Sequence, residues 1–351
     1  MGSDRLYFRT RGGPTQGWGN IFRLASFAKH CQEKGQGSPL FLAEGPPEVI
    51  QYLEKRGFPT AALKEDLPLE EEEAQLRRYG HADVIFVEML DVTPERQDLL
   101  NRYCDQLVIF DDLCDHIYDA DLVVCGQALP SHANRDLSSA RTRFLVGPEY
   151  FLCRPEFVPF SNRKRSFAKH PTRYLITLGG GAYDVGYLKI ALALQKLRQE
   201  SLKSQQPPIQ PTFVLGYGQT TLRQRLLELL PEATVLHGVD DLEKHLWAND
   251  IAVISAGYTK FEAALTQTPF VMMSAQWHQI PLAQSFAAIS GATDLGYMAY
   301  VDSEQIAHSL RALKDQGQRE NQAKRARKAV DGRGFERVYQ AAFESTCASV
   351  R

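Results

Sequence analysis

The chain has no excess of charge of either sign. Its 40 lysines and arginines stand against 42 aspartates and glutamates, a formal net charge of -2. Without a basic field nothing draws in nucleic acid or an anionic membrane surface, so no polyanion partner is expected. No apolar run reaches the roughly 18 residues of a membrane span, and the start leading into Arg5-Leu6-Tyr7-Phe8 lacks the apolar core of a signal peptide. The reading is a soluble, cytoplasmic protein without an integral membrane segment. Six cysteines, Cys31, Cys104, Cys114, Cys125, Cys153 and Cys347, form no CxxC pair, which argues against a zinc ribbon or disulfide framework and for reduced thiols. HxH and HExxH groupings are missing, so neither a metal nor a cofactor is expected. A GxSxG elbow and a Walker P-loop are missing too, which disfavours serine-hydrolase chemistry and ATP hydrolysis. Short-period repeats, long low-complexity tracts and heptads are likewise absent.

What is present is enough hydrophobic sequence for two cores: 351 residues, 44% of them hydrophobic. Short, almost continuously apolar runs alternate with helix-compatible segments. In the first half the strands read as 6–8, 39–43, 83–87, 106–110 and 121–125, with a helix from Ile21 through Ala28 that Asn20 is placed to cap. In the second half they read as 174–178, 212–215, 233–236, 251–254 and 270–273, with a helix from about Asp184 to Leu197. Apolar strands separated by helices indicate parallel sheets covered on both faces, an α/β class. Between the halves, prolines and then charge at 155–165 mark a linker. The expected domains are 1–158 and 159–351. The acidic run Glu70 to Glu73 reads as a solvated helix start.

Three strand-to-helix junctions carry glycine where a backbone would approach a phosphate or sugar: Gly17-Trp18-Gly19-Asn20, Leu178-Gly179-Gly180-Gly181 and Ser255-Ala256-Gly257-Tyr258-Thr259. Glycine permits close approach, and a helix N-terminus attracts anions. The triple glycine, directly after a strand, is the one a purely structural explanation fits worst. Other candidates have competing explanations. Glu262 closes a capping box with Thr259 as well as being placed to touch a ligand. Asp111-Asp112 ends an apolar strand at the ligand-binding edge of a sheet, yet Asp112 could cap a following helix. His278-Gln279 follows the strand 270–273 at a sheet edge, where a solvated histidine is the plain alternative. The glycine loops suit a nucleotide diphosphate that is bound and not hydrolysed as ATP.

These segments, in this order, resemble the PseG/SpsG family of nucleotide-sugar hydrolases, relatives of MurG-type GT-B glycosyltransferases. Arg9 and Gly17-Trp18-Gly19-Asn20-Ile21-Phe22-Arg23 are similar to the family's R…GxGHxxR opening. Phe110-Asp111-Asp112-Leu113 with Asp121-Leu122-Val123 is similar to DDL…ADL. Gly147-Pro148-Glu149-Tyr150, Leu152 and Arg154-Pro155-Glu156-Phe157 are similar to GPxYxxLRxEF. Leu178-Gly179-Gly180-Gly181 resembles FGGxD, Ala256-Gly257-Tyr258-Thr259-Lys260-Phe261-Glu262 resembles AGSTxWE, His278-Gln279 resembles NQ, and 331–338 resembles DGRGxxRV. The resemblance implies a GT-B type fold, two Rossmann-like domains with parallel sheets facing across a cleft. It implies that Gly179, Gly180, Gly181, Gly257, Tyr258 and Thr259 cradle phosphates, that Glu262 accepts from ribose hydroxyls, and that His278 and Gln279 complete the nucleotide side. Gly17, Gly19, Arg9 and Arg23 fall on the sugar or acceptor side.

The departures bear on chemistry. Asn20 stands where the hydrolases place the histidine proposed to activate water, and an amide cannot accept a proton near neutral pH. The family's aspartate two residues after the first arginine is Arg11, and the tryptophan before Glu262 is Phe261. Asn20, Asp112 and Arg11 are therefore the candidate catalytic residues. Three functions follow, in order: transfer from a UDP- or CMP-sugar to an unidentified acceptor, hydrolysis of the same donor, and silent binding of it.

Overall fold

The computed structural model describes residues 4–13, 18–89, 92–129, 141–181, 183–216 and 221–344. Gly17, part of the first glycine junction, and Cys347 lie outside them. The described chain folds as two compact units. Among the described residues, one contains those within 4–127, 141–154 and 333–344, and the other those within 128–129 and 155–332. Among the described residues no helix is long and apolar enough to cross a membrane, and the five described cysteines are buried.

The first unit holds seven parallel strands: β1 (Leu6–Arg11), β2 (Pro39–Glu44), β3 (Thr60–Leu63), β4 (Ala82–Glu88), β5 (Cys104–Phe110), β6 (Leu122–Cys125) and β7 (Arg143–Val146), in the order β3-β2-β1-β4-β5-β6-β7. The register sets Phe8 beside Phe41 on one side and Phe86 on the other. Side chains in register share a face, so these rings form a ladder with centroids 5.1 and 4.9 Å apart. Helix Gly19–Glu33 buries Ile21, Leu24, Phe27, Ala28 and Cys31 along one stripe. Its Phe27 meets Phe86 and Phe110 edge-on, at 5.3 and 5.9 Å.

The second unit holds six parallel strands: β8 (Arg173–Thr177), β9 (Gln210–Leu215), β10 (Thr234–His237), β11 (Ile251–Ser255), β12 (Phe270–Ser274) and β13 (Thr293–Tyr297), in the order β10-β9-β8-β11-β12-β13. Helix Asp184–Lys203 extends past the expected end. It buries Tyr187, Ile190, Ala191, Leu194 and Leu197 against a core that includes Ile176 and Phe213.

Several expectations are corrected. Strands β3, β7 and β13 were not anticipated. Each lies at the edge of its sheet or is the shortest there, and the alanines of β3 and the Asp294 and Gly296 of β13 break an apolar run. Asn20 is no cap: the helix begins at Gly19 with Trp18 in the cap position, and the Trp18 side chain makes no capping bond. The segment 155–165 is not a free linker, because Phe157 and Phe160 are buried, Phe160 packs on Trp247 at 5.5 Å, and Arg165 donates to Thr266 O and Thr268 Oγ1 at 3.1 and 3.2 Å.

The expected domain limits also shift. The first unit ends its central stretch at Arg154, and residues 333–344, expected in the second domain, join the first. The reason is aromatic. Phe335 packs on Phe27 at 5.8 Å, Tyr339 on Phe343 at 4.9 Å, and Phe343 reaches Phe86 at 6.0 Å, so the returning helix Gly334–Tyr339 and the turn after it extend the ladder's cover. Gly334 lets the helix enter: a Cβ there would lie 2.1 Å from Phe151 O.

Phe335→Ala is expected to destabilise the first unit by about 3–4 kcal/mol. Hydrogen exchange should show β1, β4 and helix Gly19–Glu33 losing protection while β8 and β11 keep theirs. Equal loss in both units would contradict this division of the core.

Candidate functional site

The second sheet changes its direction of growth at β8: the chain passes from β8 outward to β9 and β10, then crosses back to β11 on the other side. In open α/β sheets ligands bind at the carboxyl ends of the strands that flank such a reversal. Two of the three glycine junctions fall there, 179–181 after β8 and 257–259 after β11. Gly179 has φ +85°, a conformation that favours glycine, and Cβ positions built on Gly179 and Gly257 lie 3.8 and 3.7 Å from the same atom, Ser255 Oγ. The structure brings the two loops together around that hydroxyl. Gly216, after β9, backs the first loop, with its Cβ position 3.1 Å from Gly179 O and from Gly180 Cα.

Beneath the loops two side chains fix the backbone. Tyr187 Oη accepts from Leu178 N at 2.9 Å and donates to Val214 O at 2.8 Å, tying the ends of β8 and β9 together. Burial pushes its phenol pKa up, which keeps it a neutral donor. Under the other loop Lys260, 1% exposed, donates to Ala256 O at 2.9 Å and Gly257 O at 3.2 Å. Because each peptide is planar, carbonyls drawn down to the ammonium turn the following amides the opposite way. Asp294 lies in the same interior: burial raises its carboxyl pKa, while the Gly296 amide, at 2.9 Å, and the charge of Lys260 act against that rise. Sequence reasoning placed Ser255 in the third junction without a role, and missed Lys260, Gly216 and Asp294. A single cation within Thr259-Lys260-Phe261-Glu262-Ala263-Ala264-Leu265 was the available signal.

The capping box expected of Thr259 and Glu262 does not form. Helix Thr259–Leu265 has Tyr258 in the cap position with no side-chain capping bond, and Thr259 is already helical. Glu262 is 7% exposed and lies in the first turn, directly after the loop. His278 is exposed and precedes helix Gln279–Ser290. Gln279 Oε1 accepts from Ala275 N at 2.9 Å and Gln276 N at 3.3 Å, and its Nε2 lies 3.9 Å from the Cβ position of Gly257. Gln279 thus joins the loop after β12 to the loop after β11.

In the first unit the order reverses between β1 and β4, and the candidate residues there are held by ion pairs. Period-2 alternation turns Arg9 and Arg11 to the face opposite Phe8. Arg9, fully buried, bonds Glu72 at 2.7 Å and pairs with Glu44 at 3.2 Å; Arg11 bonds Glu44, and Arg96 bonds Glu72 at 3.0 Å. The acidic run is therefore not wholly solvated: Glu72 is fully buried between two arginines. Arg23, on helix Gly19–Glu33, bonds Glu88 at the end of β4 and Asp112 after β5, the latter at 3.2 Å. Asp112 caps no helix, since β6 is the next element. Asp111 accepts from Leu113 N at 2.7 Å and from the Tyr118 hydroxyl. Asp111, Asp115 and His116 each place a ligand atom within 4.8 Å of the others, a grouping common among exposed acidic side chains. Gly19 and Asn20 occupy the first two positions of their helix.

No family model matches the chain. Its fold is that of MurG from Acinetobacter baumannii, with a TM-score of 0.71 at 15% identity over 97% of this chain and 99% of that one. It is also that of S. aureus MnaA in its structure with UDP, with a TM-score of 0.66 at 11% identity over 99% and 98%. Two parallel sheets with interleaved helices and these likenesses make the chain a GT-B-fold protein. In sequence it is similar to the spore coat polysaccharide biosynthesis protein SpsG of Bacillus subtilis, 23% identical over 340 residues that cover 93% of this chain and 94% of the relative. The SpsG and MurG resemblance read from the motifs is thus met in both sequence and fold.

Glu44 offers a pH test of the first unit. Burial alone would raise its carboxyl pKa, but the bond from Arg11, the charges of Arg9 and Arg11 and the Leu67 amide outweigh that and hold it below the ordinary value. A depressed carboxyl stabilises the fold above the unfolded value of about 4.3, and that contribution is lost as pH falls through the folded value. Glu44→Gln should cost about 3 kcal/mol at pH 7 by leaving buried arginines undercompensated. In urea unfolding the gap to the unmodified protein should narrow below about pH 4; a gap that stays constant to pH 3 would refute this role.

Proposed function

We propose that the chain is a nucleotide-sugar-dependent glycosyltransferase of GT-B type, acting in surface glycan or glycoconjugate biosynthesis with a UDP- or CMP-sugar as donor. The observation that carries this is the pairing of Gly179–Gly181 with Gly257–Thr259 around Ser255 at the strand-order reversal. A diphosphate would lie on these backbones, with Glu262 accepting from ribose hydroxyls and His278 and Gln279 completing the nucleotide side. The first unit is the proposed acceptor side. UDP in the MnaA structure and the polysaccharide role in the SpsG name support the donor class and the setting.

In the reaction an acceptor hydroxyl or amine attacks the anomeric carbon and forms the new glycosidic bond. The bond from that carbon to the phosphate oxygen breaks with its electron pair on the nucleotide, and the acceptor proton passes to a base. Asn20 orients without deprotonating. Asp112, a carboxylate fixed by Arg23, is the proposed base, and Arg11 the proposed cationic contact for an acidic substrate. Hydrolysis of the same donor is the second reading and rests on the motif resemblance to nucleotide-sugar hydrolases alone; Asn20 at the water-activating position weighs against it.

A panel of UDP- and CMP-sugars, with and without candidate acceptors, separates the readings by nucleotide release. Release that depends on an acceptor supports transfer, rapid release without one sinks it in favour of hydrolysis, and tight binding without turnover leaves a silent binder. Glu262→Ala is expected to weaken nucleotide binding by about 1–3 kcal/mol with the fold intact. Unchanged affinity in calorimetry would remove Glu262 from the ligand site.

A further inference from the structure

Three aromatic rings at the carboxyl edge of the second sheet take no part in the reading above. Trp277, in the loop after β12, stacks on Tyr297 at the end of β13, with centroids 4.1 Å apart and planes 23° apart. Tyr300 meets both edge-on, at 6.1 and 5.6 Å. Rings of this size ordinarily bury themselves, yet Trp277 is 59% exposed and Tyr300 76%. Tyr297 covers one face of the indole, so what Trp277 offers to solvent is chiefly the other face.

The group is held in place. Met298 N donates to Ser274 O at 2.9 Å, Tyr300 N donates to Tyr297 O at 2.9 Å, and Lys189 Nζ grips Met298 O and Ala299 O at 3.1 and 2.9 Å. Gln279 fixes the other side by accepting from Ala275 N and Gln276 N. A ring already ordered before binding loses little freedom when a ligand stacks on it. Its position matters equally: Trp277 is two residues from Gln279, whose Nε2 reaches toward Gly257. The shelf therefore continues the same sheet edge that carries the glycine loops.

The occupant must present a flat apolar face and a polar rim. Gln276, His278 and Gln279 flank the indole in sequence, and amide and imidazole groups beside an aromatic face suit hydroxyls better than the edges of a second flat ring. We propose that Trp277, backed by Tyr297 and Tyr300, is a stacking subsite for a pyranose ring. The ring is the sugar of the nucleotide donor or a residue of a saccharide acceptor. The inference rests on the nucleotide-sugar reading of the neighbouring loops for its place in the reaction.

The test is calorimetry on the full chain, Trp277→Ala and Trp277→Phe with three sets of probes: UDP and CMP; UDP-glucose, UDP-galactose and UDP-N-acetylglucosamine; and maltose, cellobiose and chitobiose. UDP should bind the unmodified protein and Trp277→Ala within about twofold. At least one sugar-bearing probe should bind Trp277→Ala about tenfold more weakly, with most of the loss restored in Trp277→Phe, where a ring returns. A loss among the UDP-sugars identifies the donor ring, and a loss among the disaccharides an acceptor ring. Equal weakening of UDP itself would place a base on the shelf and overturn the proposal. So would the absence of any sugar-bearing probe that distinguishes the proteins. Failure of every nucleotide to bind the unmodified chain would instead refute the reading of the glycine loops, and the disaccharides would still decide the shelf.

Discussion

Strand order is the constraint from which the candidate site follows. Because the chain leaves β8 toward β9 and returns past it to β11, the two following loops meet at Ser255 but lead away in opposite directions, and their backbones stay open at the sheet edge. Everything else near them serves to hold that backbone. Tyr187 and Lys260 are buried polar groups whose partners are main-chain atoms, and their position is fixed only because those atoms are where the reversal puts them. An ammonium with no exposure is costly unless fully bonded, so Lys260 makes the loop after β11 a place where alternative backbone conformations are expensive.

The first unit solves the same topology differently. Its reversal, between β1 and β4, is lined by charged side chains that satisfy one another: Arg9, Arg11 and Arg96 with Glu44 and Glu72, and Arg23 with Glu88 and Asp112. The second unit presents main-chain groups, a serine hydroxyl and amides at the equivalent edge. A rigid ionic lattice fixes shape while spending most of its charge internally; bare loop backbone keeps its hydrogen-bonding capacity for a ligand. This difference in chemistry is one ground for the proposal that the second unit takes the nucleotide.

How much of this was legible in the sequence depends on the range of the interaction. Apolar strands such as Val84-Ile85-Phe86-Val87 and Ile251-Ala252-Val253-Ile254 announced themselves because the parallel sheet buries both faces, and the glycines after β8 and β11 could be read because an unusual backbone needs an unusual residue. Glu72 could not be read, since a run of four glutamates looks solvated until Arg9, 63 positions earlier, is known to lie beneath it. The capping box at Thr259 failed for a local reason: the helix starts one residue early, and the pattern carries no information on register. The aromatic residues of 335–343 looked like part of the second domain because nothing local says which sheet a terminal helix covers.

That last segment has a consequence for how the molecule comes into being. A ribosome delivers β1 first, yet the ladder of Phe8, Phe41 and Phe86 acquires Phe335 and Phe343 only when residues 333–344 emerge. The second unit, whose core residues all fall between Tyr174 and Leu313, has that core in hand before then. The half of the protein made first is therefore the half completed last, and a nascent chain carries an open aromatic face through the synthesis of an entire neighbouring fold.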